Sequence, residues 1–65
     1  MADRREVLIE MTRVGASVRV AAVDAETGLE AVIVGPATYP AHILERRAVA
    51  KLEHLRQHKA SPRQR

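Results

Sequence analysis

A chain of 65 residues with no Cys, Phe or Trp, and with Tyr39 as its one aromatic, has to build a single domain around aliphatic side chains. No disulfide or thiolate-bound metal is open to it, and no apolar run approaches the roughly 18 residues that a membrane span needs. Eleven Lys and Arg against eight Asp and Glu leave a formal charge of +3, gathered toward the end at Arg56, Lys59, Arg63 and Arg65.

Residues 1–5 are short and charged and read as a frayed N-terminus, without the apolar segment of a secretory signal. With no membrane run either, the expectation is a soluble cytoplasmic protein. Glu6 to Thr12 reads as a strand, because Val7, Ile9 and Met11 alternate with Glu6, Glu10 and Thr12. Arg13-Val14-Gly15-Ala16 offers a tight turn in which Gly15 supplies positive φ. Ser17 to Val23 is a second alternating, β-branched strand. Asp24-Ala25-Glu26-Thr27-Gly28 is a second turn, where Asp24 bonds its own backbone and Gly28 closes the loop. Leu29 to Val34 is the third strand, stopped by Gly35-Pro36.

The turns set registers. A loop at Val14-Gly15 pairs Met11 with Val18, Ile9 with Val20 and Val7 with Ala22. A loop from Ala25 to Gly28 pairs Val20 with Ile33 and Ala22 with Ala31. All of these residues share one sheet face, and a slip of one residue would turn them to solvent. On the other face Arg19 comes opposite Glu10, while Leu8, Ala21 and Val32 form a row flanked by Val23 and Val34. Two readings fit that row. β-branched residues satisfy strand propensity wherever they stand, whereas a contiguous aliphatic patch marks a contact site. The contact reading assigns Leu8, Ala21, Val23, Val32 and Val34 to an oligomer interface, with a dimer favoured, and the alternative geometry is a pair of edge strands that extends the sheet.

Thr38 to His58 carries the one long helical signal. Ala41, Leu44, Ala48, Leu52 and Leu55 recur at steps of three and four and form one stripe. Thr38 is positioned to cap this helix and Pro40 to sit in its first turn. The stripe is too narrow for a helix buried all round, so it must lie on the sheet. The expected fold is α+β: a three-stranded antiparallel meander followed by one C-terminal amphipathic helix (β-β-β-α). It occupies residues 6–59, ahead of a disordered basic tail at 60–65. A fully buried aliphatic side chain contributes about 1.5–3 kcal/mol, against about 1–2 kcal/mol of backbone entropy per ordered residue. With few large side chains the monomer is marginal, and self-association is the natural remedy.

Chemistry-bearing patterns are sparse. His54 and His58 have metal-ligand spacing, but zinc needs two further ligands, His42 lies toward the opposite side of the helix, and Cys is absent. No metal is assigned. Arg47, Lys51, His54 and His58 share one helix flank. That ridge either binds an anionic partner, nucleic acid or an acidic protein, or is a solvated flank with cations favoured near the helix end. The near-absence of aromatics argues against stacking on single strands. The glycines form no phosphate-binding pattern, Ser17, Thr12 and Thr27 lack a triad context, and Glu10 and Glu30 are not a dyad. No catalytic residue, cofactor or small-molecule substrate is expected, and the best reading is a non-enzymatic interaction module.

The strings Val7-Leu8-Ile9-Glu10, Arg13-Val14-Gly15, Val23-Asp24-Ala25-Glu26-Thr27-Gly28-Leu29-Glu30 and Ile33-Val34-Gly35-Pro36-Ala37, with the helix from Leu44 to Leu55, resemble a family of short bacterial proteins. The family is a domain of unknown function whose members sometimes carry the label serine hydroxymethyltransferase. A pyridoxal-phosphate enzyme needs a large cofactor pocket and a Schiff-base lysine held inside it. Lys51 and Lys59, the only lysines, stand on the polar side or the end of one helix, so the label does not suit this chain. The resemblance implies the architecture and no activity.

Overall fold

Alternating apolar runs in the first half of the chain become three strands, and the stripe that follows becomes one helix. The computed structural model describes residues 6–59, so the frayed N-terminus and basic tail expected at 1–5 and 60–65 lie outside the described residues. Strand β1 is Val7–Val14, β2 is Ser17–Asp24, β3 is Glu30–Pro36, and helix α1 is Ala41–Lys59. The sheet is an antiparallel meander in the order β1-β2-β3, so the expected β-β-β-α architecture is the observed one.

The first hairpin differs from its expected register. Its loop is Gly15-Ala16, with Val14 opposite Ser17, rather than Val14-Gly15. A two-residue hairpin loop that opens on a single positive φ places glycine first, and Gly15 has φ of 62° while no other residue type in the described chain has positive φ. Val14 in that place would be strained, since a β-branched residue avoids positive φ. Met11 therefore stands opposite Val20, Ile9 opposite Ala22 and Val7 opposite Asp24. The shift is two residues, so every side chain keeps its expected face. It does change neighbours: Glu10 faces Ala21, Arg19 faces Thr12, and Leu8 faces Val23 rather than Ala21.

The second hairpin has the expected register, with Val20 opposite Ile33 and Ala22 opposite Ala31. Asp24 Oδ1 accepts from the amides of Glu26 at 2.8 Å and Thr27 at 3.4 Å, and Gly28 closes the loop at φ of 80°. Strand β3 does not stop at Val34 but continues through Gly35 and Pro36. The Ala37 amide bonds the Ala16 carbonyl at 2.8 Å, so the neighbouring Pro36 would point an amide away from β2, where its absence costs no ladder bond.

Helix α1 begins at Ala41, later than the expected Thr38. The Pro40 carbonyl accepts from Ile43 and Leu44 at 3.1 and 3.3 Å, making Pro40 the residue before the first turn. Thr38 lies outside the helix, in a turn closed by the Tyr39 amide on the Pro36 carbonyl at 3.0 Å. The core joins Val20, Ala22 and Ala31 of the sheet to Leu44, Ala48 and Leu52 of the helix. Small side chains at Ala22, Ala31, Ala48 and Gly35 let α1 settle close to the strands. It packs on β2 and β3 and barely reaches β1. Val7 and Ile9 are consequently half-buried, and Met11 on the same face is 37% exposed.

Candidate functional site

Strand parity decides which residues face away from α1. Leu8 of β1, Ala21 and Val23 of β2, and Val32 and Val34 of β3 all lie on that outer face. Leu8 and Val34 are 54% and 66% exposed, Val23 and Val32 are half-buried, and Ala21 is fully covered by its neighbours. Ala21 is thus the floor of the patch. The cross-strand rows are Leu8–Val23–Glu30, Glu10–Ala21–Val32 and Thr12–Arg19–Val34. A further exposed aliphatic, Val14 at 61%, shares this face beside Ser17 and Pro36, and sequence reasoning missed it by placing Val14 in the loop.

The helix flank is partly committed to contacts within the chain. Lys51 Nζ donates to the Val32 carbonyl at 2.9 Å, tying the flank to the free side of β3. The Arg47 guanidinium lies 5.7 Å from the centroid of the Tyr39 ring, a cation–π contact. His54 and His58 are both exposed, their rings 4.0 Å apart, with His58 Nδ1 at 2.9 Å from the His54 carbonyl. Among the described residues no group of three or more His, Cys, Asp or Glu is arranged to hold a metal ion.

A polar cluster at the end of the core has no counterpart in the sequence reading. Asp24 ends β2 on the inner face and is 2% exposed. Its Oδ2 accepts from Arg56 Nε at 3.0 Å, and Arg56 also pairs with Glu53 one turn earlier. Arg56 therefore points inward and does not extend the basic ridge. Its Nη2 is buried without a hydrogen-bond partner among the described residues. The signal was present: Leu44, Ala48, Leu52 and Arg56 continue one step of four, and Asp24 keeps the parity of Val18, Val20 and Ala22. The Glu26 amide does most to hold the Asp24 carboxyl below its ordinary value. Burial opposes it, and the Arg56 bond and the Thr27 amide add to the lowering. For Arg56, burial works against the charge, and the carboxylates of Asp24 and Glu53 outweigh it. The cluster is structural in its geometry, since Asp24 and Arg56 turn their charges toward each other inside the fold and Glu53 meets Arg56 from the exposed side.

The matched family covers nearly everything just described, from residue 4 to residue 59. The chain belongs to DUF6898, a domain of unknown function. The DUF6898 match spans all three strands and the helix, so the β-β-β-α unit and the family domain coincide. No curated protein and no solved structure matches the chain. This DUF6898 domain comes with no enzymatic family attached, and no helix of its described residues is long and apolar enough to cross a membrane.

Proposed function

We propose that this domain is a small non-enzymatic interaction module that works by self-association, a second copy covering the outer sheet face. The observation that carries the reading is the exposure of Leu8 and Val34, 54% and 66%, on a face that no described element covers. Val23, Val32 and Val14 widen the same surface into a patch, and patches of this kind on small domains mark contact sites. A two-fold contact buries the patch on both copies at once and enlarges a core whose largest members are only Leu44, Leu52 and Val20.

The test places charge in the patch on the strand farthest from β1. Val32→Asp with Val34→Asp is expected to lower the sedimented mass of the oligomer while leaving the far-UV spectrum unchanged. A double variant with the parent's mass sinks the reading, as does a parent that is monomeric at high micromolar concentration.

An anionic partner on the flank of Arg47, Lys51, His54 and His58 is the second reading. Both histidines are exposed and nearby, which favours it. Against it, the Lys51 ammonium is engaged by Val32 and the Arg47 guanidinium by Tyr39. Self-association has the stronger support.

A further inference from the structure

The two edges of the sheet are not equivalent. In β3 the residues facing away from β2 in the ladder are Glu30, Val32, Val34 and Pro36, and Lys51 reaches across to cap the Val32 carbonyl. A lysine over an edge is a common way to stop further strands from adding. Among the described residues, strand β1 has no such guard. The Glu6 carbonyl accepts from the Ala25 amide at 3.0 Å, which fixes the ladder: Leu8, Glu10, Thr12 and Val14 bond to β2. Val7, Ile9, Met11 and Arg13 therefore turn their amides and carbonyls outward along the free side of an eight-residue strand.

Those same residues carry side chains on the inner face, the one that α1 covers only over β2 and β3. Val7 and Ile9 pack against the core but stay half-buried, and Met11 is 37% exposed. Val49 adds an apolar wall from the helix. It lies about 200° around α1 from Lys51, at about 100° per residue, and so faces the β1 side. An open backbone edge and an uncovered apolar strip thus coincide on one strand.

We infer that β1 is the edge along which two copies of this chain pair, antiparallel, into one continuous sheet with both helices on the same face. Antiparallel pairing of a strand with its own copy is two-fold symmetric, so the contact closes on itself. The capped β3 edge disfavours the open-ended alternative, in which β1 of one copy adds to β3 of the next. Charge restricts the register. Centring the pair on Glu10 sets two carboxylates directly opposite, which is destabilising. Centring it on Met11 sets Met11 against Met11 of the second copy, Ile9 against Arg13, Glu10 against Thr12 and Leu8 against Val14. No like charges then oppose, the outward amides and carbonyls of Ile9, Met11 and Arg13 pair, and two of the exposed aliphatics, Leu8 at 54% and Val14 at 61%, meet on the outer face. The inner strips of both copies join into one apolar trough between the helices.

This contact shares only Leu8 and Val14 with the outer-face stack, runs along the β1 edge where the stack is centred on β2 and β3, and stands or falls separately. The test exploits the two-fold at Met11, which is 37% exposed and lies outside the buried core. Met11→Lys alone and Met11→Glu alone set like charges against each other across the axis. Each is expected to halve the parent's sedimented mass with the parent's far-UV spectrum retained, and an equimolar mixture of the two is expected to restore that mass. Val32→Asp with Val34→Asp leaves the edge contact intact. A parent that is monomeric at high micromolar concentration overturns the inference. So does a Met11→Lys variant that keeps the parent's mass, or a mixture that fails to reassociate.

Discussion

Arg56 Nε lies 3.0 Å from Asp24 Oδ2, joining the last turn of α1 to the last residue of β2. The other carboxylate oxygen, Oδ1, holds the loop through the Glu26 and Thr27 amides. One side chain therefore orders the second hairpin and anchors the helix end, so the loop and the C-terminal turn of α1 depend on the same charge.

A pH dependence follows from that charge. The folded-state pKa of Asp24 lies below its ordinary value of 3.8, first through the Glu26 amide, with burial opposing and Arg56 adding to the lowering. A carboxyl depressed on folding contributes stability that is present above 3.8 and is lost as pH falls through the folded value. The melting temperature should therefore be flat near neutrality and drop below pH 3.8. In Asp24→Asn the acid limb should flatten while the neutral-pH melting temperature falls, because Arg56 keeps its charge without its partner. An unchanged acid limb in that variant would show that Asp24 is not linked to folding.

Leu52 has no exposed surface and belongs to the core that joins Leu44 and Ala48 of the helix to Val20, Ala22 and Ala31 of the sheet. Truncation to Ala leaves a cavity and should cost about 2–5 kcal/mol. In a domain this small the loss removes most of the folding free energy. Chemical denaturation measures it, and a Leu52→Ala variant with the parent's midpoint would contradict the packing of α1 on β2 and β3.

A Cβ placed on Gly35 would come 2.5 Å from Leu44 Cδ2. Leu44 is 1% exposed and has little room to withdraw. Gly35→Ala should destabilise by about 1–3 kcal/mol, as overpacked cores do. Pairing it with Leu44→Val should cost less than the two changes added together, since the second relieves the clash made by the first. Additive losses would mean that the helix shifts as a body and the contact is not specific.

The basic flank has its own test. If it binds phosphate, affinity for duplex nucleic acid should fall steeply with salt and disappear in Arg47→Glu with Lys51→Glu, whatever the sequence of the duplex. Gel shift at low salt decides it. Binding that survives the double reversal, or none in the parent, removes the flank from consideration.

Periodicity sufficed for the architecture. Alternation in Val7–Met11, Val18–Ala22 and Ala31–Ile33 marked the strands and their faces, and the step of three and four from Leu44 to Leu55 marked the helix. Face assignment even survived a misplaced hairpin loop, because side-chain parity repeats every two residues and the register moved by two. Neighbours across strands did not survive it, since they depend on which residue takes the positive φ. Tertiary structure alone decided the rest. The pairing of Asp24 with Arg56 spans 32 residues, and the Lys51 bond to Val32 spans 19, separations at which local pattern carries no distance information. Nor did the stripe on α1 say which two of three strands it would cover. That followed from where Gly35 and the alanines of β2 and β3 allow a helix to approach, and it is why Val7, Ile9 and Met11 of β1 stay partly exposed.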